Sequence, residues 1–439
     1  MIRRALITVF AAAAFGLVGT APAMAAQPYP LNFKTFGLDA PDATSGVVYS
    51  DAGVTLASSG LGGPYFYSDP FADYSGDGAD GTGNYVYGTW TSPVTTLGFG
   101  FNELVSSWNA TTPPNTWIQV EMQPLIDGKG WAKWYILGRW ASDDPHPSTF
   151  HRTSVGGQGD ANGFVSIDTF FAKDHLALAY RLRVTLFRST TTTQSPTLTR
   201  LSAIAMNLTN QKGSFPSPTT MAGTGIDLGV PGYSQEIHHG DFPQYDNGGE
   251  AWCSPTSTSM VVSYWSNVTG TNYDPTTTDY DWVTAALGAN HPDPWVDYAA
   301  RQVYDYHYNG AGNWPFNVAY AASRGLMGEV TALHSLREAE PFIRLGIPLV
   351  ASVAWNSNKL DGGIKSTNGH LMVIGGFTGN GDVIAYDPAS SDDTAVRHVY
   401  DREQFERAWI PASGGIVYSI RPVGYQTKAV EDLLTANNS

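Results

Sequence analysis

Gly248-Gly249-Glu250-Ala251-Trp252-Cys253-Ser254-Pro255-Thr256-Ser257 is the stretch on which the fold of this 439-residue chain turns. Two glycines make a loop, and Ser254 and Pro255 suit the first turn of a helix, by capping and by a preset φ. Residues 253–265 continue in helical character, with Met260, Val261, Tyr264 and Trp265 on adjoining faces. The sulfur therefore stands at the positive end of a helix dipole, where the thiolate is favoured and the pKa falls. Cys253 is the one cysteine of the chain, so no intramolecular disulfide can form. A lone thiol could be a small buried hydrophobe. Its place at a glycine loop and helix start points instead to a nucleophile.

A thiol nucleophile needs a base, and the base needs an orienting acceptor. Downstream, Asn368-Gly369-His370-Leu371-Met372-Val373-Ile374-Gly375-Gly376-Phe377 puts a histidine at the mouth of an apolar strand. Asp382-Val383-Ile384-Ala385-Tyr386-Asp387-Pro388 then ends a neighbouring strand with an acid and a proline that turns the chain. A short hairpin between the two would set His370 and Asp387 side by side at one sheet edge.

Working outward, helices are expected at 295–306, 316–324 and 335–345, and strands at 347–354, 371–377, 383–386 and 416–420. Helices first and a sheet later reads as α+β. Upstream, 27–207 reads as all-β. Ile118, Val120 and Met122 alternate with polar residues, and Leu176, Leu178, Tyr180, Leu182, Val184 and Leu186 alternate with Ala177, Ala179, Arg181, Arg183, Thr185 and Phe187. Turns such as Tyr74-Ser75-Gly76-Asp77-Gly78 separate these runs, which argues for a jelly-roll-like β-sandwich. Between the two parts, 208–228 is polar, carries Pro216 and Pro218, and reads as a linker at which they are separable. Residues 426–439 form a C-terminal tail.

The segment 229–425 resembles the peptidase C-39-like group of papain-like cysteine peptidases. The resemblance rests on Val230-Pro231-Gly232-Tyr233-Ser234-Gln235, on Glu250 to Met260, on Gly369 to Gly376, and on Tyr386-Asp387-Pro388-Ala389. It implies an α+β papain-like domain that hydrolyses peptide bonds without a cofactor. It also implies roles: Cys253 as nucleophile, His370 as general base and then acid, Asp387 as orienter, and an upstream glutamine as oxyanion donor. Gln235 is the expected donor, and Gln244 is the alternative. Two departures stand out. Ser254 follows the cysteine where many relatives have glycine, and the stretch between Gln235 and Cys253 is expanded.

The rest of the sequence sets the setting. At 42% hydrophobic and 13% aromatic residues the chain can bury a sizeable core. Its net charge of −15 gives no reason to bind nucleic acid. Arg3 and Arg4, the apolar run 5–18 and Ala23-Met24-Ala25 read as a signal peptide over 1–25, so secretion is expected, extracellular or at the cell wall. No later stretch reaches the roughly 20 apolar residues of a membrane span. His238-His239 with Asp241, and His291 with Asp293, lack the helical spacing or cysteine ligands of a metal motif, so no metal is expected. His291 and His398 are the reserve bases. Trp295, Trp314 and Tyr306 are candidates to line a cleft. Trp108, Trp117, Trp131, Trp134 and Trp140 could stack on a sugar, although core packing accounts for most of them. The β part is thus a candidate carbohydrate or surface binder, with cell-wall glycan as its partner and a peptide or protein as the substrate of the other part. Two further readings remain: a cell-wall peptide or amide hydrolase using the same residues, and a non-enzymatic binding protein with a degenerate peptidase domain.

Overall fold

The computed structural model describes residues 29–71, 82–142, 150–211, 213–357 and 359–439. The signal-peptide segment and the turn at 74–78 lie outside the described residues. Among those described, a mostly-strand N-terminal region precedes a mixed α/β C-terminal one.

The N-terminal region has two antiparallel sheets. In one, Glu103–Thr111 and Thr197–Met206 pair at the centre; in the other, Ala177–Ser189 runs between Thr116–Ile126 and Thr82–Thr91. Leu104, Trp108, Leu198 and Leu201 of the first sheet share one core with Ile118, Val120, Leu182 and Val184 of the second. Successive inward residues are mostly two apart, as strand pleating requires. The alternation expected along 176–187 holds only from Tyr180 to Val184. A bulge between Ala177 and Ala179 shifts the register, so Ala177 and Ala179 are buried while Leu178 is exposed. Trp108, Trp117 and Trp140 are buried. Trp131 is exposed, and Arg181 stacks on both Trp131 and Trp134.

The C-terminal region has a seven-stranded antiparallel sheet in the order Leu326–Ala332, Ile416–Pro422, Leu349–Trp355, Thr367–Phe377, Val383–Tyr386, Arg397–Tyr400, with Ile226–Asp227 also pairing Thr367–Phe377. The helix Cys253–Thr269 is buried from Ser254 to Trp265. Ser257 donates its hydroxyl to the Leu371 carbonyl at 3.1 Å, which fixes the helix to the strand carrying His370. Helices Pro294–Val303, Trp314–Ser323 and Leu336–Arg344 lie where the sequence puts them. Helices Asp281–Leu287, Arg402–Ser413 and Thr427–Thr435, and the strand Leu326–Ala332, were not expected.

The segment 208–228 is no free tether. The Ser217 amide donates to Glu406 at 2.7 Å, Thr219 and the Thr220 amide each donate to Glu340 at 2.7 Å, and Met221 is fully buried. The polar residues that make it look like a linker supply donors to two buried carboxylates.

The two regions also share their cores. Phe316 packs its ring at 6.1 Å from Trp108 and 5.2 Å from Trp140. Asn109 donates to the Gly328 carbonyl at 2.7 Å, and the Tyr29 hydroxyl donates to the Gly414 carbonyl at 3.0 Å. Fully buried Glu329 accepts from Arg421 at 2.7 Å and also pairs with Arg200 of the β region. Separability at the linker therefore gives way to one jointly packed body.

Candidate active site

Cys253 is the first residue of its helix and is half-buried. Trp252, just before it, is wholly buried and donates its indole N–H to the Tyr245 carbonyl at 2.6 Å, which fixes the approach to the thiol. Ser254, where relatives often have glycine, is accommodated by a 2.9 Å hydrogen bond with the Tyr418 hydroxyl.

His370 lies three residues inside the strand Thr367–Phe377, not at its mouth, opposite Val353. The strand Val383–Tyr386 delivers Asp387 beside it, and His370 Nε2 and Asp387 Oδ1 are 2.7 Å apart. Both residues are buried, on or directly after adjacent interior strands and not at a lateral edge of the sheet. Asp387 accepts two more hydrogen bonds, from the Tyr400 hydroxyl at 2.7 Å and from the Ala389 amide at 3.0 Å. Trp355 meets the imidazole edge-on at 6.1 Å.

The electrostatics follow from this packing. Burial by itself lowers the His370 pKa, but Asp387 and the neighbouring Cys253 side chain outweigh it and push the imidazole up to about 10. Burial by itself raises Asp387, but His370, Tyr400 and the Ala389 amide together bring its pKa down to about 2. A buried imidazolium with a carboxylate on one nitrogen and a thiol nearby is the arrangement that activates sulfur near neutral pH.

Gln235 is buried and shares a cleft of about 610 Å³ with Cys253 and His370. Its side-chain amide donates to the Glu250 carbonyl at 2.7 Å and to the Glu236 carboxylate at 3.2 Å, while Oε1 has no partner. Gln244 is exposed and lines no part of this cleft. The Gln235 loop comes this close only because residue 249 is glycine: a Cβ there would lie 2.2 Å from the Gln235 carbonyl oxygen. The structure thus gathers Cys253, His370, Asp387 and Gln235 at one place.

Part of the cleft wall comes from the β region, which sequence reasoning missed. Ile167 and Asp168 form the tip of the hairpin joining Gly163–Ser166 to Thr169–Ala172, and both line the cleft. Ile167 sits at φ 56°, a strained conformation for a β-branched residue and a kind that recurs at functional sites. Asp168 accepts from the Trp314 amide at 2.7 Å, and its burial pushes its pKa up to about 7. The cleft also carries Glu236, Asp246 and Glu250, and among the described residues no lysine or arginine lines it.

The other candidates fall elsewhere. Trp314 lines the cleft; Trp295 packs on Tyr233, and Tyr306 is buried. His398 bonds Ser390 at 2.9 Å, and exposed His239 pairs with Glu250 at 2.9 Å. His238, Asp241 and His291 come together with Asp297, which the sequence did not single out; Asp293 is not among them.

Comparison with known proteins agrees with the resemblance read from the sequence. Residues 227–417 match the Peptidase_C39 like family, so the C-terminal half carries the C39-like pattern. Residues 41–206 match a second model, the Peptidase C39 N-terminal domain. A crystal structure described as a C39-like peptidase from Bacillus anthracis is 15% identical, covers 45% of this chain and 98% of its own, and superposes with a TM-score of 0.27. No curated protein matches the chain in sequence.

Proposed function

We propose that this protein is a secreted cysteine peptidase that cleaves peptide bonds by thiol acyl transfer, with a jelly-roll-like sandwich joined to a papain-like domain. The observation that carries the reading is the buried His370–Asp387 pair, 2.7 Å apart, which shares an open cleft with the half-buried thiol of Cys253.

Because Nε2 is committed to Asp387, Nδ1 is the ring nitrogen left for the sulfur. The thiolate of Cys253 attacks the scissile carbonyl, and the developing oxyanion takes donors from the Cys253 backbone N–H and the Gln235 amide. Substrate oxygen replaces the Glu236 carboxylate as acceptor of that amide. The His370 imidazolium protonates the leaving amine, giving a thioester. Neutral His370 then takes a proton from water, hydroxide adds to the thioester, and the thiolate leaves with the proton back on His370. Asp387 holds the ring in place and stabilises its charge.

The acidic cleft wall, with no lysine or arginine among its described residues, favours peptide segments carrying positive charge. The test is labelling of the purified mature protein with a thiol-directed peptidyl electrophile, followed by mass spectrometry. Modification of Cys253 in the folded protein near neutral pH is expected. A thiol that reacts only after denaturation would sink the reading.

A further inference from the structure

Outside the cleft, four side chains on three separate segments converge. They are His238 from the short turn after Gln235, Asp241 from the loop beyond it, His291, and Asp297 on the helix Pro294–Val303. His238 and Asp297 are completely buried. Each residue turns one donor atom toward a common point, and these atoms lie within 4.8 Å of one another.

The spacing between them is specific. His238 Nδ1 is 3.1 Å from Asp297 Oδ2 and 3.6 Å from Asp241 Oδ2. His291 Nε2 is 3.0 Å from Asp297 Oδ2 and 3.4 Å from Asp241 Oδ2. A tetrahedron of ligands around an ion at about 2.0–2.1 Å has edges of about 3.3–3.4 Å. The four distances scatter about that value, and the two imidazoles are set edge-to-face with centroids 5.4 Å apart.

Hydrogen bonding accounts for only part of the cluster: His291 Nε2 and Asp297 Oδ2 bond at 3.0 Å. Neither ring nitrogen of His238 has a hydrogen-bond partner, despite the 3.1 Å approach to Asp297, because the alignment is wrong. Asp241 Oδ2 and Asp297 Oδ1 are also buried without a partner. Two carboxylates and two neutral imidazoles carry a charge of about −2 in a largely buried site, where uncompensated charge is strongly disfavoured.

The geometry points to a site for one divalent ion of the zinc class, held by His238 Nδ1, Asp241, His291 Nε2 and Asp297. Two imidazole nitrogens and four-coordinate spacing suit zinc or a neighbouring transition metal, not calcium or magnesium, which take six or more oxygens. All four positions are filled by protein, so the ion's work is structural. It fastens the expanded stretch between Gln235 and Cys253 to the helix Pro294–Val303. That stretch holds only two short helical turns and carries Phe242, Asp246 and Asn247 at φ 42°, 61° and 64°, so it has little regular structure of its own to hold it.

The catalytic thiol could itself capture zinc, so the decisive experiment uses the Cys253→Ala protein. After chelator treatment it is titrated with Zn²⁺ by calorimetry and its metal content read by mass spectrometry. A single tight equivalent is expected, with a raised melting temperature. His291→Gln and Asp297→Asn in the same background should weaken binding by more than the roughly 10–100-fold that loss of an outer partner brings. Because those variants could unfold, Co²⁺ is also added to the unsubstituted protein. The intense visible bands of tetrahedral cobalt without a thiolate charge-transfer band are expected. No binding by the Cys253→Ala protein would overturn the proposal and leave a proton on His238 as what neutralises the cluster. A thiolate band as the sole cobalt signal would overturn it too, by placing the ion at Cys253.

Discussion

The backbone N–H of Gln235 donates to the carbonyl of Pro388 at 2.9 Å, the residue directly after Asp387. A neighbouring bond from the Ser234 amide to Asp393 at 2.8 Å closes the same latch. The proposed oxyanion donor is therefore positioned from the turn that holds the orienting acid.

Gln235→Ala should lower turnover by about 10²–10³, with little change in KM, as loss of one oxyanion donor does. Gln244→Ala should leave both constants near wild type, because that side chain is exposed outside the cleft. Steady-state kinetics on a chromogenic peptide distinguish the two; the reverse ranking would transfer the role to Gln244.

Cys253→Ala and His370→Ala should each reduce kcat/KM by at least about 10³-fold, and the double variant should be no worse than either, because groups acting as a unit are not additive. Circular dichroism of Cys253→Ala should match the wild type, since a half-buried thiol contributes little to packing.

The alkaline limb of the kcat/KM profile should lie well above the ordinary histidine pKa, because the imidazolium must persist and its pKa is raised to about 10. Asp387→Asn removes the charge that holds it up, so this limb should move to lower pH, by roughly 1–3 units. The folded-state shift has a stability consequence of the same sign. With an ordinary value near 6.5 in the unfolded chain, the contribution of His370 is fully present below that pH and is lost as pH rises toward 10. A limb unmoved by Asp387→Asn would remove the acid from the mechanism.

Ile167→Gly relieves a positive φ that isoleucine adopts with strain. The fold should persist, while KM for extended peptides rises several-fold and that for a minimal substrate stays unchanged. Equal effects on both substrates would take the hairpin out of substrate binding.

A chain begun near Ile226 should fail to fold as a soluble monomer. Its Phe316 would lose Trp108 and Trp140, and buried Glu329 would lose Arg200. Cooperative unfolding of such a fragment, seen by circular dichroism, would contradict this.

Much of the site could be read in the sequence because each part is announced locally. A glycine loop and Ser-Pro mark the start of the Cys253 helix, an apolar run marks the His370 strand, and Asp-Pro marks its turn. What could not be read depends on partners far along the chain. The strand Leu326–Ala332 hides because Glu329 interrupts its apolar run, and that charge makes sense only beside Arg421 and Arg200. Asp297 looks like an ordinary acid in the first turn of a helix until His238 and His291 arrive beside it. The segment 208–228 reads as tether because its threonines and serines reveal nothing of Glu340 and Glu406.

The hairpin that brings Ile167 and Asp168 to the cleft gives the chain a constraint on its ancestry. A binding module joined by a loose tether can be traded between proteins, since nothing else depends on it. Here a β-region loop forms part of the wall around the thiol, so an exchanged N-terminal region would have to bring a hairpin of matching reach along with a matching core face. The two regions are thus bound to drift as one inheritance, each substitution along their seam answered on the other side.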